Sequence, residues 1–151
     1  MSAEFLATHS GLEVMQAITE GRLPFASIGQ TMGFVPHSMT DGEAVFVGQP
    51  SAAHLNPMGG VHGGWYATIL DSALGCAVHT KLQAGWGFTT AELSVNIVRA
   101  VTLTTGPLRA TGRVLHCGRQ LATAEGRIED ATGKLYAHGT TTCLVFKLQS
   151  Q

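Results

Sequence analysis

The sequence of 151 residues predicts an α+β fold in which a curved antiparallel sheet wraps around one long, buried helix. Two observations predict it. Residues 61–81 form a run that is too long for a strand and apolar on almost every side, so a helix here must be covered all round. The segments after it alternate in polarity and are joined mainly by tight, glycine-containing turns, which is typical of antiparallel strands.

Shorter segments complete the predicted order of elements. Residues 4–20 have the apolar spacing of an amphipathic helix that ends at Gly21. Ser10 and Glu13 have the spacing of a capping box for the second part of this helix. Strands are predicted at 32–39, 43–49, 90–97, 108–117, 120–129 and 135–146. This order, with one long helix held inside a curved sheet, is that of the hotdog fold.

The chain carries little charge for a soluble domain, since only 13% of its residues are charged and the net charge is −1. This balance excludes an extended basic surface for nucleic acid or for an anionic membrane. Between residues 44 and 91 only Asp71 and Lys81 are charged, which indicates a surface covered by another subunit. We therefore expect one domain over 1–151, with a helical extension over about 1–28, assembled as a homodimer and further as a dimer of dimers.

The cysteines and the N-terminal residues indicate the cellular compartment of the protein. The three cysteines are odd in number and widely spaced, so they form no disulfide framework, and reduced thiols in the cytoplasm are expected. The N-terminus lacks the basic and apolar segments of a signal peptide. The apolar run at 61–80 is not expected to span a membrane, because Asp71 near its centre would be costly there.

A pair of glycines opens the predicted long helix. Gly63 and Gly64 leave backbone N–H groups uncrowded at the positive end of the helix dipole. Such groups are the components of an oxyanion hole or an anion site. The alternative interpretation is that the glycines only let the start of the helix pack closely against the sheet.

Asp71 is the one acid in this apolar helix. An unpaired carboxylate there costs several kcal/mol, which indicates a functional site, although a bond to Ser72 or to a loop N–H that fixes packing is the alternative. Eight residues separate Gly63 from Asp71, a rise of about 12 Å on a straight helix. If one reaction uses both groups, two chains must share the site, with their helices antiparallel about a two-fold axis.

Three segments resemble a known family: Asn56–Gly64 (NPMGGVHGG), residues 70–73 (LDSA) and residues 89–96 (TTAELSVN). They are similar to the hotdog thioesterases of the phenylacetate-degradation (PaaI-type) branch, which are related to 4-hydroxybenzoyl-CoA thioesterases. The resemblance covers roughly residues 30–147 and leaves out the N-terminal helix.

The resemblance implies an acyl-CoA thioesterase that yields a carboxylate and CoA, with no metal and no cofactor other than the CoA of the substrate. Asp71 matches the catalytic acid, which acts as nucleophile or as general base. Gly63 matches the residue whose N–H polarises the thioester oxygen. Asn56 matches a side chain that holds the carbonyl or the attacking water, and His62 matches a residue lining the same pocket. Thr90 falls where relatives carry a hydroxyl that positions water or the acid.

The resemblance also implies contacts to the substrate outside the reacting atoms. Gly64 is expected to lie against the substrate. The phosphates of CoA need cations, and the chain after residue 98 has more basic than acidic residues. Arg99, Arg119 and Lys134 are candidates, and for each the alternative is a solvated turn residue.

The strand pattern places Glu92 on the same face as Thr90. A cross-strand ion pair with an arginine is its expected role, and the alternative is that it faces the site. The aromatic residues Trp65, Tyr66 and Phe88 are interpreted either as core or as the lining of an acyl pocket. Aryl and medium-chain acyl groups fit such a lining equally well.

Other functions are less well supported. The main alternative is a hotdog protein that binds acyl-CoA without cleaving it, and the next is a hotdog hydratase, which would need an Asp beside His54 or His62. The histidine spacing fits no common metal site, and we expect none. A serine hydrolase lacks its G-x-S-x-G motif, and Cys76 lies in an apolar setting that raises a thiol pKa.

Overall fold

A six-stranded antiparallel sheet curves around one long helix in the computed structural model, which describes residues 3–148. The helices are α1 (Ala3–Thr8), α2 (Gly11–Thr19), α3 (Ser27–Met32) and α4 (Gly63–Thr80), with a 3₁₀ turn at Ala52–His54. The strands are β1 (Phe34–Thr40), β2 (Glu43–Gly48), β3 (Trp86–Ile97), β4 (Leu108–Cys117), β5 (Leu121–Glu129) and β6 (Leu135–Lys147). The α+β hotdog fold predicted from the sequence is confirmed.

The strands lie in the order β1-β2-β4-β5-β6-β3, and every neighbouring pair is antiparallel. Strand β3 therefore crosses over to the far edge, where β6 is its neighbour among the described strands. Its other edge offers 12 residues of backbone for pairing. Long unpaired edges of this kind are ready to pair with another strand.

A row of three glycines lets α4 lie directly on the sheet. Gly112 of β4, Gly126 of β5 and Gly139 of β6 stand opposite one another in register. A Cβ on Gly112 would overlap the backbone of Ala73 in α4, and one on Gly126 would lie 3.0 Å from a methyl carbon of Leu74. The helix thus packs backbone to backbone against Gly112 at Ala73, two residues from Asp71.

Most of α4 is buried, as its apolar sequence predicts, but one stripe is not covered. The helix buries Trp65, Tyr66, Ile69, Leu70, Ala73, Leu74, Gly75, Ala77, Val78 and Thr80. The partly exposed positions are Gly64, Ala67, Thr68, Asp71, Ser72, Cys76 and His79. Their three- and four-residue spacing forms a single stripe along the helix. Within residues 3–148, no helix is both long and apolar enough to cross a membrane.

The N-terminal segment differs from the predicted continuous helix over 4–20. The capping box of Ser10 and Glu13 is present: the Glu13 N–H donates to Ser10 Oγ over 3.3 Å, and the Ser10 N–H donates to a Glu13 carboxylate oxygen over 2.7 Å. Because this cap starts a new helix, the chain breaks into α1 and α2. Helix α3 lies in a segment where the sequence predicts no helix. It is capped by Gly33, whose φ of 69° ends the helix, so β1 begins at Phe34, two residues later than predicted.

Candidate functional site

The start of α4 is capped by His62. The Nδ1 atom of this ring accepts a hydrogen bond of 2.9 Å from the Gly64 N–H. A Cβ on Gly64 would lie 3.0 Å from the same nitrogen, so a side chain there would press on the ring. The Gly63 N–H, in contrast, has no acceptor within the described residues, and Gly63 is exposed. One backbone donor at the positive end of the helix is therefore free to bind a ligand.

Asn56 lies beside this helix start, in the loop that leads to it. Its Oδ1 accepts hydrogen bonds from the Met58 N–H at 2.9 Å and from the Gly60 N–H at 3.1 Å. The backbone N–H of His62 donates to His54 over 2.8 Å, which ties the loop to the helix. Since Oδ1 holds the loop together, the Nδ2 amide of Asn56 is the part of this side chain left to donate to a ligand.

Two aromatic residues anchor the first turn of α4. The Trp65 indole N–H donates to the carbonyl of Met32 over 2.8 Å, and the Tyr66 hydroxyl accepts from the Val101 N–H over 2.7 Å. Both side chains are almost fully buried. Of the two interpretations open for Trp65 and Tyr66, the core role is therefore the correct one.

Asp71 points from the uncovered stripe of α4 towards β3. The Thr90 hydroxyl donates to Asp71 Oδ1 over 2.9 Å, and both residues are partly exposed. Within the described part of the chain, Asp71 Oδ2 accepts no hydrogen bond. The carboxylate is thus oriented through one oxygen and open at the other. The expectation that Thr90 lies at Asp71 agrees with this geometry.

A β-bulge at Ala91 corrects the predicted face of Glu92. The pairing of β3 with β6 shifts between Thr90, which opposes Cys143, and Glu92, which opposes Thr142. Because the extra residue reverses the alternation, Thr90 faces α4 and Glu92 faces outward. Glu92 is exposed and makes no ion pair within residues 3–148, so the predicted shared face and salt bridge of Glu92 are both wrong.

Two thiols lie near Asp71, and neither suits nucleophilic attack. Burial, and after it the charge of Asp71, raises the pKa of Cys76 to about 12. Burial also raises the pKa of Cys143, and the Asp71 carboxylate adds to the effect. Both thiols therefore stay protonated at neutral pH, and a protonated thiol is a poor nucleophile. Asp71 is the group at this position that is able to act as nucleophile or base.

The three candidate cations lie at two ends of the sheet. Arg99 follows β3 and shares a groove with Asn56 and Gly60, and its Nε donates to the carbonyl of Leu135, next to Lys134. Arg119 lies in the β4–β5 turn at the opposite end of these strands, in a groove with Lys81. One chain therefore brings Arg99 and Lys134, but not Arg119, to the end where α4 starts.

The turn that carries Lys134 is held by Asp130. Its carboxylate accepts from the hydroxyl and N–H of Thr132, the N–H of Lys134 and the hydroxyl of Tyr136. These bonds, the one from the Thr132 hydroxyl most of all, lower the pKa of Asp130 to about 2.

The described residues contain no group of three or more His, Cys, Asp or Glu side chains that could hold a metal ion.

The model of the thioesterase superfamily matches residues 58–137, a span that includes Gly63, Asp71 and Thr90. The chain belongs to the thioesterase superfamily. As a member of it, the protein is a thioester hydrolase. No curated protein matches the sequence at a significant level.

Solved structures agree with this membership of the thioesterase superfamily. A phenylacetic acid degradation-related protein of Ralstonia eutropha is 27% identical, with a TM-score of 0.77 over 86% of this chain and 98% of that one. A hypothetical thioesterase of Streptococcus pneumoniae, solved with coenzyme A, is 26% identical, with a TM-score of 0.69 over 78% and 89% of the two chains. PaaI of E. coli, at 20% identity and a TM-score of 0.78 over 93% and 100%, shares the fold. The PaaI-type resemblance is confirmed.

Proposed function

We propose that this protein is an acyl-CoA thioesterase that hydrolyses aryl- or medium-chain acyl-CoA esters to a carboxylate and CoA. Asp71 carries the proposal. It is the one carboxylate on an otherwise uncharged helix, with one oxygen held by Thr90 and the other open. The relative from Streptococcus pneumoniae was solved with coenzyme A, which supports CoA as the thiol.

The chemistry follows from the two kinds of group at the site. The Gly63 N–H donates to the thioester oxygen and stabilises the negative charge that develops on it, with the helix dipole behind it. Asp71 either attacks the thioester carbon, forming a C–O bond as the C–S bond breaks and CoA leaves as thiolate, or acts as a general base. As a base it takes a proton from water, whose oxygen bonds to the same carbon before the C–S bond breaks and CoA leaves. In the first case water then hydrolyses the anhydride. The Asn56 amide and the His62 ring, next to Gly63, line the same site.

These groups come together only if two chains share the site. Within one chain, Gly63 and Asp71 are separated by about 12 Å of helix. Strand β3 lies beside both residues. Thr90 of β3 bonds to Asp71, and a Cβ on Gly63 would lie 3.4 Å from Ile97 at the end of the same strand. If the free β3 edges of two chains pair antiparallel, the Thr90 end of one chain faces the Ile97 end of the other. Asp71 of one subunit then approaches Gly63 of the partner.

The nucleotide part of CoA has a candidate binding surface at the end of the sheet where α4 starts. Arg99 and Lys134 are both exposed. Arg99 lines the groove that contains Asn56, and Lys134 precedes Leu135, whose carbonyl accepts a hydrogen bond from Arg99 Nε. Of the three guanidinium nitrogens of Arg99, only Nε donates to a described residue, so Nη1 and Nη2 remain to bind a phosphate. We assign the phosphates to this pair. Arg119, at the other end of the sheet, serves as the comparison.

Replacement of Asp71 by Asn tests the catalytic assignment. Asn is close in size but is neither a base nor a good nucleophile, so kcat should fall about a thousandfold while the thermal melting temperature stays close to that of the wild type. CoA release from a panel of aryl- and alkyl-CoA esters, followed with a thiol reagent, is the measurement. Asp41→Asn is the matched control, because Asp41 lies in an exposed turn and pairs with Lys81.

Retention of more than about a tenth of the wild-type kcat by Asp71→Asn would contradict the assignment. If the wild type binds the esters and releases no CoA from any of them, the protein is a binding protein instead.

Two substitutions at Gly63 test whether its backbone N–H contributes to catalysis. Proline is tolerated at the first position of a helix, and His62, with ψ of 139°, already has the conformation that precedes a proline. Gly63→Pro therefore removes one hydrogen-bond donor with little effect on the helix, and kcat should fall about a hundredfold. Gly63→Ala adds a Cβ but keeps the donor. Equal kcat values for the two variants would exclude the N–H from catalysis.

The phosphate assignment is tested by the KM for CoA esters. Arg99→Ala should raise KM about tenfold with little change in kcat, since it removes a charge-assisted contact away from the reacting atoms. The increase should vanish with acyl esters of N-acetylcysteamine, which lack the nucleotide. Arg119→Ala is the control, and an increase in KM with Arg119→Ala instead would place the nucleotide at the other end of the sheet.

A further inference from the structure

One turn past Asp71, on the same side of α4, the helix is covered, and Gly75 is buried there. Gly75 has no side chain, and the ring of Phe88 rests on its backbone. A Cβ on Gly75 would lie 2.8 Å from Cε2 and 3.0 Å from Cζ of that ring. Because these distances are shorter than carbon atoms tolerate, glycine is required for the ring to occupy this position.

Phe88 lies directly beside the proposed reaction centre. Phe88 and Thr90 alternate along β3 and point to the same face, towards α4. Thr90 contacts Asp71 and Phe88 contacts Gly75, so the two strand residues make successive contacts along the helix. Four residues of helix correspond to about 6 Å. The Phe88 ring therefore blocks the helix surface about 6 Å beyond the carboxylate.

The space behind Phe88 is closed as well. The His79 ring packs against Phe88 with centroids 5.7 Å apart and planes tilted by 56°. Gly11 of α2 packs so closely on His79 that a Cβ would overlap the His79 carbonyl. Burial lowers the pKa of His79, so its ring is neutral at neutral pH and forms part of an apolar wall. Phe88, His79 and α2 together close the far end of the stripe.

We propose that Phe88 sets the upper size limit of the acyl group. The proposal rests on the proposed function, since it takes Asp71 as the point where the thioester carbon lies. The acyl group extends from Asp71 along the stripe towards Gly75 and ends against the Phe88 ring. A single ring fits within about 6 Å, whereas long-chain acyl groups meet the Phe88 ring. Phe88 is thus a specificity-determining residue and takes no part in the chemical step.

Phe88→Ala should open the space above Gly75. We expect the ratio of kcat/KM for lauroyl-CoA to kcat/KM for butyryl-CoA to increase at least about tenfold, because even one methylene changes such ratios by this order. Phe146→Ala is the matched control. Phe146 opposes Gly87 on the neighbouring strand and is exposed, so its removal should leave the ratio unchanged.

Gly75→Ala should have the opposite effect. The added Cβ pushes the ring away from the helix and into the space for the acyl group, so the lauroyl-to-butyryl ratio should fall and phenylacetyl-CoA should become a poorer substrate than in the wild type. In the double variant Gly75→Ala/Phe88→Ala there is no ring to displace, and the effect of the alanine at residue 75 on the ratio should disappear. Phe88→Leu has a shorter side chain that is still apolar, so it covers the case in which Phe88→Ala does not fold, and it should raise the ratio by a smaller factor.

The outcomes separate this proposal from the proposed function. A lauroyl-to-butyryl ratio that is unchanged in both Phe88→Ala and Phe88→Leu, with active wild type, overturns the role of Phe88 alone. Additive effects of the substitutions at 75 and 88 also overturn it, since the argument requires their contact. If the wild type releases CoA from no ester, the proposed function fails and this proposal fails with it.

Discussion

The close contact between α4 and the sheet controls the rest of the molecule. At Gly112 of β4 the helix backbone lies on the strand backbone, and at Gly126 and Gly139 leucine side chains of the helix approach the strands, so most of the helix is buried. A carboxylate is tolerated on such a helix only where the sheet does not cover it. Asp71 lies on that uncovered stripe, and the neighbouring edge strand β3 supplies the hydroxyl of Thr90 that orients it.

The same packing separates Gly63 and Asp71, the two groups of the proposed site. A straight, buried helix fixes Gly63 and Asp71 about 12 Å apart, and no rotamer of Asp71 shortens that distance enough for one substrate carbonyl to meet both. The edge strand β3 lies beside both Gly63 and Asp71. None of the described strands pairs with its outer edge. The isologous pairing through β3 that we propose would complete two sites at once.

The features that depend on local sequence could be predicted, and those that depend on register could not. The length and apolar character of α4 stand out because a buried helix needs them, and Asp71 stands out against that background. The bulge at Ala91, which turns Thr90 inward and Glu92 outward, depends on pairing with β6 and has no local signal. The separation of Arg119 from Arg99 depends on strand order, which spacing along the chain does not contain.

Complementation between two inactive variants tests the shared site most directly. Asp71→Asn and Gly63→Pro subunits would be co-expressed with different affinity tags and purified through both tags. A site built from Asp71 of one subunit and Gly63 of the other is intact once in such a heterodimer, so activity should return to roughly half of the wild-type value. Activity as low as that of either variant alone, or the absence of a doubly tagged species, would contradict the account.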